Sequence, residues 1–352
     1  MIVVIPSNRG VNLNYIEPFL NYNCRVIIVD DTEDERISVK ASNIEVFHHS
    51  DRKKYLGELE DCIPRKNGAC RDFGLLVAYR EGEMGETVIC LDDDCKIDDE
   101  YIPKASNALG LKTLVLAETK HPFYNPLDIY DLEMEIYPRG FPYEERGRPR
   151  DYNYTKTVTG NVVFNLGLWN GVFDVNAIDK HYLDKFSFSD VPLRYSQVAV
   201  VQGPLLSLCS MNMIMVKELI PAIYQLPMNE PIIPHWKIDR YGDIWGGYIS
   251  KKLIDIRGDI LSVGEPVIYH DKDGNIEKNI LQEHYAHIVN LQFCELIARA
   301  CEDIPPGNYL DMYDAFCSNL EVVSDSFPRS LEGYLKPTIE KMNKWVSALR
   351  RG

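Results

Sequence analysis

The segment Thr87–Leu91 reads Thr-Val-Ile-Cys-Leu and is followed directly by Asp92, Asp93 and Asp94. A short apolar run of this kind predicts a buried strand, whereas three consecutive carboxylates cannot lie in a core without positive charge beside them. The strand must therefore end at an edge of a sheet, and in an open α/β sheet the ligand crevice lies outside the carboxyl ends of the strands. Because hard divalent cations prefer carboxylate oxygens, the triplet predicts a site for a metal and a phosphate. The alternative is an acidic turn after a strand.

The charge balance limits which partners the chain can bind. The 352 residues carry 53 acidic against 38 basic side chains, a formal net charge of -15, which argues against a nucleic-acid partner. A small anionic ligand would need a local cation, which a bound metal supplies. The nine cysteines form no Cys-x-x-Cys pair, so we interpret them as reduced core residues of a cytoplasmic protein. No run of about 18 apolar residues occurs, so we expect no transmembrane segment.

The first third of the chain alternates strand and helix patterns, which predicts an α/β fold with parallel strands. The predicted strands are Ile2–Ile5, Arg25–Val29, Thr87–Leu91 and Thr113–Ala117, and the predicted helices are Leu13–Leu20, 69–80 and Tyr101–Leu109. Parallel strands end at the same edge of a sheet, so Pro6, Arg9 and Asp31 should face one crevice, where a base and a ribose could bind. Asp31, like Asp30 before it, could instead be a turn former.

Arg71 falls in the first turn of the helix that precedes the acidic triplet. A helix N-terminus and an arginine side chain both suit the oxygens of a diphosphate. The alternative is an ordinary solvated arginine on an amphipathic helix.

The middle of the chain, residues 120–202, has poor periodicity and is rich in aromatic residues, Pro, Gly and Asn, so we expect irregular functional loops there. Within it, Tyr137–Tyr143 and Gly167–Asn170 have the composition of a sugar-facing surface, and a well-packed loop is the alternative.

The second half returns to regular patterns. The run 203–212 is apolar and should rejoin the sheet, 238–247 should open a helix with acids in its first turn, and 266–272 places His270 and Lys272 directly after a strand. Helical stripes follow, one of them after Pro337, which should precede its helix. We therefore expect an α/β domain over 1–285 and a helical segment over 286–352, packed on that domain or on a second subunit.

Eight segments in order resemble the blocks of the reversibly glycosylated polypeptide, or UDP-arabinopyranose mutase, family, which is glycosyltransferase family 75. They are VIPSNR, ACRDFG, CLDDDC, PRGFPYEERG, GLWNGVFDVNA, LCSMNM, DRYGDIWGG and VIYHDKDGN. The resemblance implies a GT-A type fold, with a mixed and mainly parallel sheet flanked by helices. It also implies a divalent metal (Mn or Mg), a UDP-sugar ligand, interconversion of the pyranose and furanose forms of UDP-arabinose, and self-glycosylation on an arginine.

The resemblance assigns roles to particular positions. Arg139 matches the arginine that becomes glycosylated, and Arg146 matches a second arginine close by. Position 242 is Gly where the family tends to have an acid, which leaves Asp243, with Asp239 as a stand-in, as the candidate base. The expected metal ligands are Asp92, Asp94 and His270, and the expected nucleotide-binding residues are Pro6, Arg9, Asp31, Arg71, Asp93 and Lys272.

The chemistry leaves alternatives open. A guanidinium is a poor nucleophile, so Arg139 could carry the sugar with a base to take its proton, or it could act as an electrostatic clamp. The whole protein could instead be a GT-A transferase with an external acceptor, or a non-catalytic nucleotide-sugar-binding subunit. UDP-arabinose is the expected ligand, with UDP-glucose and UDP-galactose as further candidates, and we expect a homo-oligomer.

Overall fold

A computed structural model describes residues 1–10, 13–39, 41–149, 151–183, 188, 190–229, 231–233, 236–270, 274–324 and 329–351. In this part of the chain the strands are Ile2–Ser7 (β1), Arg25–Asp30 (β2), Ile44–Phe47 (β3), Thr87–Leu91 (β4), Cys95–Lys96 (β5), Gly110–Glu118 (β6), Phe123–Tyr124 (β7), Asn153–Gly171 (β8), Gln197–Val200 (β9), Leu205–Leu206 (β10), Asn212–Val216 (β11), Pro231–Ile233 (β12), Trp236–Lys237 (β13) and Ile260–His270 (β14). The helices are Leu13–Asn21 (α1), His49–Leu56 (α2), Arg71–Glu81 (α3), Tyr101–Ser106 (α4), Ala177–Leu183 (α5), Gly242–Arg257 (α6), Ile276–Ala300 (α7), Tyr309–Ser324 (α8) and Arg329–Arg350 (α9).

One mixed sheet of ten strands organises the described residues, in the order β3-β2-β1-β4-β11-β8-β6-β9-β14-β5. Strands β3, β2, β1 and β4 are parallel, and β11 runs antiparallel to both β4 and β8. All six residues of β1 are buried, as expected for a parallel strand that has a neighbour on each side and helices over its faces. The expected α/β fold with a mixed sheet, flanking helices and a helical C-terminal segment is confirmed.

Helix α3 lies unusually close to the parallel strands because of Gly74. A Cβ at this position would lie 2.5 Å from Val4 Cγ1 and 2.9 Å from Val29 Cγ2. Glycine therefore allows the helix backbone to approach β1 and β2, and this close approach positions the N-terminus of α3 beside the carboxyl ends of the strands.

The expectation of irregular loops throughout residues 120–202 was wrong for β8, a strand of 19 residues. Its first half is largely exposed and pairs with β6, while its second half is buried between β11 and β14. Strand propensity depends on the packing surroundings, and Asn, Thr and Gly in this segment give little intrinsic signal. Tertiary pairing, not local pattern, makes this segment a strand.

Strands β8, β6, β9 and β14 also pair in a closed circle. Each contributes one residue to a small second core, namely Leu114, Val162, Ala199 and Ile260. The apolar run after 203 contributes less to the main sheet than predicted, since β10 pairs only with β7 and the chain rejoins the main sheet at Asn212.

The C-terminal helices pack on the α/β body of the same chain. Trp345 stacks on Tyr224, with ring centroids 5.2 Å apart, and its indole N–H donates to the carbonyl oxygen of Pro221 at 3.2 Å. The main hydrophobic core includes residues from Ile2 to Leu349. The expected boundary at residue 285 falls inside the continuous helix α7.

Pro337 does not precede its helix as predicted but lies inside α9. The helix begins eight residues earlier, at Arg329, because Leu331, Tyr334 and Leu335 are buried against the rest of the core. Tertiary burial of this first part of the helix offsets the missing N–H of the proline.

Two further sequence expectations concern the environment of the protein. No helix in the described ranges is both long and apolar enough to cross a membrane. All nine cysteines are free thiols, and eight of them are buried, as predicted for core residues.

Candidate functional site

The predicted site residues gather at the edge where the parallel strands end. Ser7 closes β1, Asp31 follows β2, and Asp92–Asp94 follow β4, and these three strands are direct neighbours in the sheet. His270 ends β14 and pairs in register with Cys95, the residue after the triplet. This antiparallel pairing brings a histidine from late in the chain to the acidic triplet.

Each aspartate of the triplet lies against an arginine side chain. Asp92 Oδ1 accepts from Arg71 Nη2 at 2.5 Å. Asp93 accepts from Ser7 Oγ and from Arg9 Nη2, both at 2.5 Å, and the same Arg9 nitrogen reaches Asp94. The hydrogen bond to Asp93 is the largest cause that raises the pKa of Arg9 above its ordinary value. The protein thus supplies two guanidinium groups to neutralise three carboxylates.

His270 and Asp94 are suited to hold a hard divalent cation. The Nδ1 of His270 lies 3.1 Å from the carbonyl oxygen of Val172, so Nδ1 donates to that oxygen and the neutral ring would present the lone pair of Nε2 to a metal. Nε2 faces Asp94 Oδ1 at 3.9 Å. The described residues contain no group of three His, Cys, Asp or Glu side chains arranged for a metal. Cations such as Mg²⁺ at nucleotide sites nevertheless use only one or two protein ligands and take the rest from phosphate and water, so this pair fits such an ion.

Two adjoining cavities open beside the triplet. The first has a volume of about 190 Å³ and is lined by Pro6, Ser7, Asn8, Arg9, Asp31, Lys66, Asn67, Gly68, Cys70, Arg71, Asp92 and Asp93. The second has a volume of about 210 Å³ and is lined by Asn67, Gly68, Ala69, Arg71, Asp92, Arg139, Ser210, Gln225, Leu226, Met228, Asp239, Arg240, Gly242 and Asp243. We call them the triplet cavity and the arginine cavity. The residues common to both are Asn67, Gly68, Arg71 and Asp92.

Arg71 forms the fixed wall between the cavities. Its side chain is buried and donates to the carbonyl oxygens of Gly68 at 3.2 Å and Ser210 at 2.8 Å, in addition to Asp92. Burial is the largest single influence on the pKa of Arg71 and would lower it, but the charges and hydrogen bonds of Asp92 and Cys90 together outweigh burial and raise it. The guanidinium is therefore a permanent cation with a fixed position.

Asp31 is buried beside the triplet cavity and is held from two sides. Its Oδ1 accepts from Arg52 Nη2 at 2.8 Å and its Oδ2 from the backbone N–H of Lys66 at 2.6 Å. Because Arg52 is also fully buried, the pair is a rigid part of the cavity wall.

Arg139 lies buried in a cage of acceptors at the arginine cavity. Asp243, in the first turn of α6, accepts from Nη1 at 3.0 Å and from Nη2 at 2.7 Å. Asp174, in the loop after β8, accepts from Nε at 2.9 Å. The carbonyl oxygen of Arg240 also accepts from Nη1, and Arg240 has a φ of 63°, a strained value for a non-glycine residue that is typical of functional sites.

The long helix α7 supports the arginine cavity from behind. Gln282 donates to Asp239 Oδ2 at 2.7 Å, and the buried Glu283 accepts from Arg240 Nε at 2.8 Å. Asn290 donates to the carbonyl oxygen of Gly140, next to Arg139, at 2.8 Å. The C-terminal part of the chain therefore contributes directly to the order of the site.

The structure brings most of the predicted site residues together. Pro6, Arg9, Asp31, Arg71, Asp92 and Asp93 line the triplet cavity, with Asp94 and His270 beside it, and Arg139, Asp239 and Asp243 line the arginine cavity. Lys272 lies outside the described residues. A Cβ at Gly242 would collide with the carbonyl oxygen of Leu226, so this position has no room for a side chain. The acid that the family tends to have at position 242 would therefore not fit here, and Asp243 is the acid that remains.

Some predictions about the site were wrong, and some residues were missed. Gly167–Asn170 does not form a sugar-facing loop but belongs to β8, and Trp169 is only 1% exposed in the core. The sequence pattern gave no reason to single out Asp174, Gln282 or Glu283. The only signal for Asp174 was its place inside the block GLWNGVFDVNA.

Comparisons with known proteins identify relatives of this chain. The family model described as reversibly glycosylated polypeptide matches residues 1–346. UDP-arabinopyranose mutase 1 of Arabidopsis thaliana is 30% identical over 80% of this chain and 74% of its own length. UDP-arabinopyranose mutase 3 of the same plant is 29% identical over 80% of this chain and 73% of its own length, and UDP-arabinopyranose mutase 1 of Oryza sativa subsp. japonica is 29% identical over 80% and 72%. The chain belongs to the reversibly glycosylated polypeptide family.

Proposed function

We propose that this chain is an enzyme that interconverts the pyranose and furanose forms of a UDP-linked pentose, the activity that the names of its relatives describe. The observation that carries the proposal is the pair of adjoining cavities. One is bordered by Arg9 and Arg71, and the other holds the caged Arg139. In this proposal UDP occupies the first cavity and the sugar occupies the second, with the anomeric carbon near their common wall.

In this arrangement the triplet cavity stabilises the leaving group. Breaking the bond between the anomeric carbon and the diphosphate leaves negative charge on UDP, and fixed cations nearby lower the barrier. Arg71 is held rigidly for this role by Asp92 and Ser210. A divalent cation bound by Asp94 and His270, with Asp92 close by, would supply Lewis-acid stabilisation of the same charge.

Arg139 receives the sugar in the proposed route. As the anomeric C–O bond to UDP breaks, a C–N bond forms at Nη2, and Asp243, 2.7 Å from that nitrogen, takes the displaced proton. The ring of the N-linked sugar then opens as its ring oxygen takes a proton and a C=N bond forms to Nη2, and the other hydroxyl oxygen closes on the same carbon and releases a proton. A phosphate oxygen of UDP then bonds to the anomeric carbon as the C–N bond breaks, and Asp243 returns its proton to Nη2. Proton transfer to Asp243 is essential because a protonated guanidinium is a poor nucleophile.

The activity is tested by incubating the protein with UDP-arabinopyranose and separating the ring forms by chromatography. We expect UDP-arabinofuranose to form without an added acceptor. A sugar product on an added glycan, lipid or small molecule, with no furanose form, would identify an external transferase instead. Binding of the UDP-sugar without any product would identify a binding subunit.

The role of Arg139 is tested with Arg139→Lys, which keeps the positive charge between the two carboxylates. We expect turnover to fall by about 10²-fold, because lysine cannot reproduce the planar geometry of the cage. UDP affinity should change little, since Arg139 does not line the triplet cavity. Arg257→Lys, which alters an arginine paired with Asp259, is the matched control. Full turnover by the Arg139 variant would remove this residue from the mechanism.

The metal is tested by calorimetry of UDP binding in Mn(II) and in chelator. We expect tighter binding with the metal, and we expect Asp94→Asn and His270→Ala to reduce that gain together. Equal affinities in Mn(II) and in chelator would contradict the metal site.

The homo-oligomer, the cytoplasmic location and the preference among UDP-arabinose, UDP-glucose and UDP-galactose stay predictions from the sequence.

A further inference from the structure

Asp174 holds Arg139 at two separate points. Its backbone carbonyl oxygen accepts from the backbone N–H of Arg139 at 2.9 Å. Both oxygens of its carboxylate lie against Arg139 Nε, at 2.9 and 3.1 Å. A single residue therefore fixes both the loop that carries Arg139 and the near end of its guanidinium group.

The acceptors around Arg139 divide its five N–H groups. Asp174 takes the one on Nε, Asp243 takes one from each terminal nitrogen, and the carbonyl oxygen of Arg240 takes the second from Nη1. Within the described residues, this leaves one N–H, on Nη2, without an acceptor. Nη2 is thus the nitrogen with a position open to a ligand.

Loss of the Asp174 carboxylate and loss of the Asp243 carboxylate would affect the orientation of the Arg139 guanidinium differently. Asp243 binds the far end of the guanidinium across both terminal nitrogens, and without Asp174 the group could pivot about that end. Asp174 itself does not line the arginine cavity, and its carboxylate contacts Arg139 only through Nε. Its contribution must therefore pass through Arg139.

The charges are consistent with a rigid ion pair. Burial would raise the pKa of Asp174, but the charge and hydrogen bond of Arg139 outweigh it and lower the pKa to about 2, with help from the Cys209 thiol. Burial would also lower the pKa of Arg139, and Asp174 and Asp243 together raise it. Asp174 thus stays a carboxylate and is a weak base.

We propose that Asp174 is a positioning residue that orients Arg139 so that Nη2 meets the anomeric carbon, while Asp243 remains free to accept the proton. This inference rests on the proposed function, because it assigns a division of labour to two carboxylates of the same site. Asp174 is not among the residues that line either cavity.

The test uses Asp174→Asn in the full-length protein, with two independent readouts. The first is steady-state interconversion of UDP-arabinose, where we expect kcat to fall on the order of 10²-fold while KM for the UDP-sugar stays within about twofold, since binding uses other residues. The second is ¹⁵N NMR of arginine-labelled protein without ligand. The Nε–H of Arg139, assigned from the signal lost in Arg139→Lys, should exchange with water at least about tenfold faster in the variant, because its charged acceptor is gone.

Two further variants complete the experiment. Asp259→Asn is the matched control, since Asp259 is also a largely buried carboxylate, bound by Tyr309 and Arg257 away from both cavities, and it should leave kcat and the Arg139 signal unchanged. Asp174→Glu keeps the charge but shifts it by one methylene, so its kcat should lie between those of wild type and the Asn variant. If the Asn variant does not fold, the Glu variant carries the test, and wild-type kcat in that variant despite a faster-exchanging Nε–H would overturn the proposal.

Each outcome separates this inference from the proposed function. Wild-type kcat in Asp174→Asn, or reduced kcat with an unchanged Nε–H signal, would overturn the positioning role while leaving the mutase activity intact. Absence of interconversion in the wild-type protein would refute the proposed function and with it the catalytic part of the inference. The NMR result would then still decide whether Asp174 fixes the guanidinium.

Discussion

At the scale of single residues, Asp72 is a buried carboxyl whose surroundings disfavour its charged form. It follows Arg71 in α3 and is fully buried. Its Oδ2 accepts from the backbone N–H of Gln225 at 3.1 Å, and its Oδ1 has no hydrogen-bond partner among the described residues. Burial raises the pKa of Asp72 well above its ordinary value, against the smaller opposing effects of that hydrogen bond and of Arg71.

The raised pKa predicts that Asp72→Asn changes the pH dependence of stability. Because its folded pKa is raised, the folded protein still binds this proton at pH values where the unfolded chain, above about pH 4, has released it. Wild type should therefore lose about 1.4 kcal/mol of unfolding free energy for each pH unit between that value and the folded pKa, and the variant should not. Urea unfolding at pH 5, 6 and 7 measures the difference, which should grow with pH in favour of the variant. A constant difference would show that Asp72 titrates normally.

At the scale of elements, α9 contains a proline that it tolerates only because of its packing. Pro337 lies in the ninth position of a helix of 22 residues, where proline lacks an N–H and its ring crowds the preceding turn. The residues around it, Leu335, Thr338 and Ile339, are buried. Tertiary contacts thus hold the helix together across an unfavourable residue.

Replacing Pro337 by alanine should stabilise the protein. Alanine restores a backbone hydrogen bond and a favourable helix former, so we expect the unfolding free energy to rise by about 1–3 kcal/mol. Chemical denaturation measures it. Ser347→Ala, at an exposed position on the same helix, should change stability by less than about 0.5 kcal/mol. If the Pro337 variant is less stable, the packing of the proline ring stabilises the protein by more than the proline destabilises the helix.

At the scale of the whole molecule, the α/β body and the C-terminal helices share one core. Helix α7 supports Arg240 and the Arg139 loop through Glu283 and Asn290, while Trp345 of α9 closes on Tyr224. The site is therefore ordered by both parts of the chain together. A two-domain division at residue 285 would cut through a helix that supports the site.

This common core predicts a single unfolding transition. Trp345→Ala should lower the unfolding free energy by about 3–5 kcal/mol, because it removes a fully buried indole. The urea unfolding transitions followed by far-UV and by near-UV circular dichroism should shift together to lower urea concentration in the variant. Leu281→Ala serves as the control, because the side chain of Leu281 is 78% exposed. This variant should leave the urea concentration of the transition unchanged. Two separated transitions would show that the C-terminal helices unfold as an independent unit.

Much of the candidate site could be predicted because its residues follow strands. Strand runs such as Thr87–Leu91 are read from local pattern, and parallel neighbours end at one edge, so Arg9, Asp31 and the triplet were placed correctly relative to one another. His270 was placed at a strand end, but only the antiparallel pairing of β14 with β5 brings it to Asp94. Asp174 could not be predicted as a site residue beyond its place in the block GLWNGVFDVNA, since its contacts with Arg139 are made only in the folded structure.

By itself, the sequence determined the alternating strands and helices, the acidic edge and the family to which the chain belongs, because each of these depends on residues close together in the chain or on ordered blocks. Only the tertiary structure decided that β8 is a strand, that α7 orders the site and that Arg139 is caged. The bonds of that cage join residues 35 and 104 positions apart, and contacts at such separations depend on the packing of the whole sheet, which no local pattern encodes.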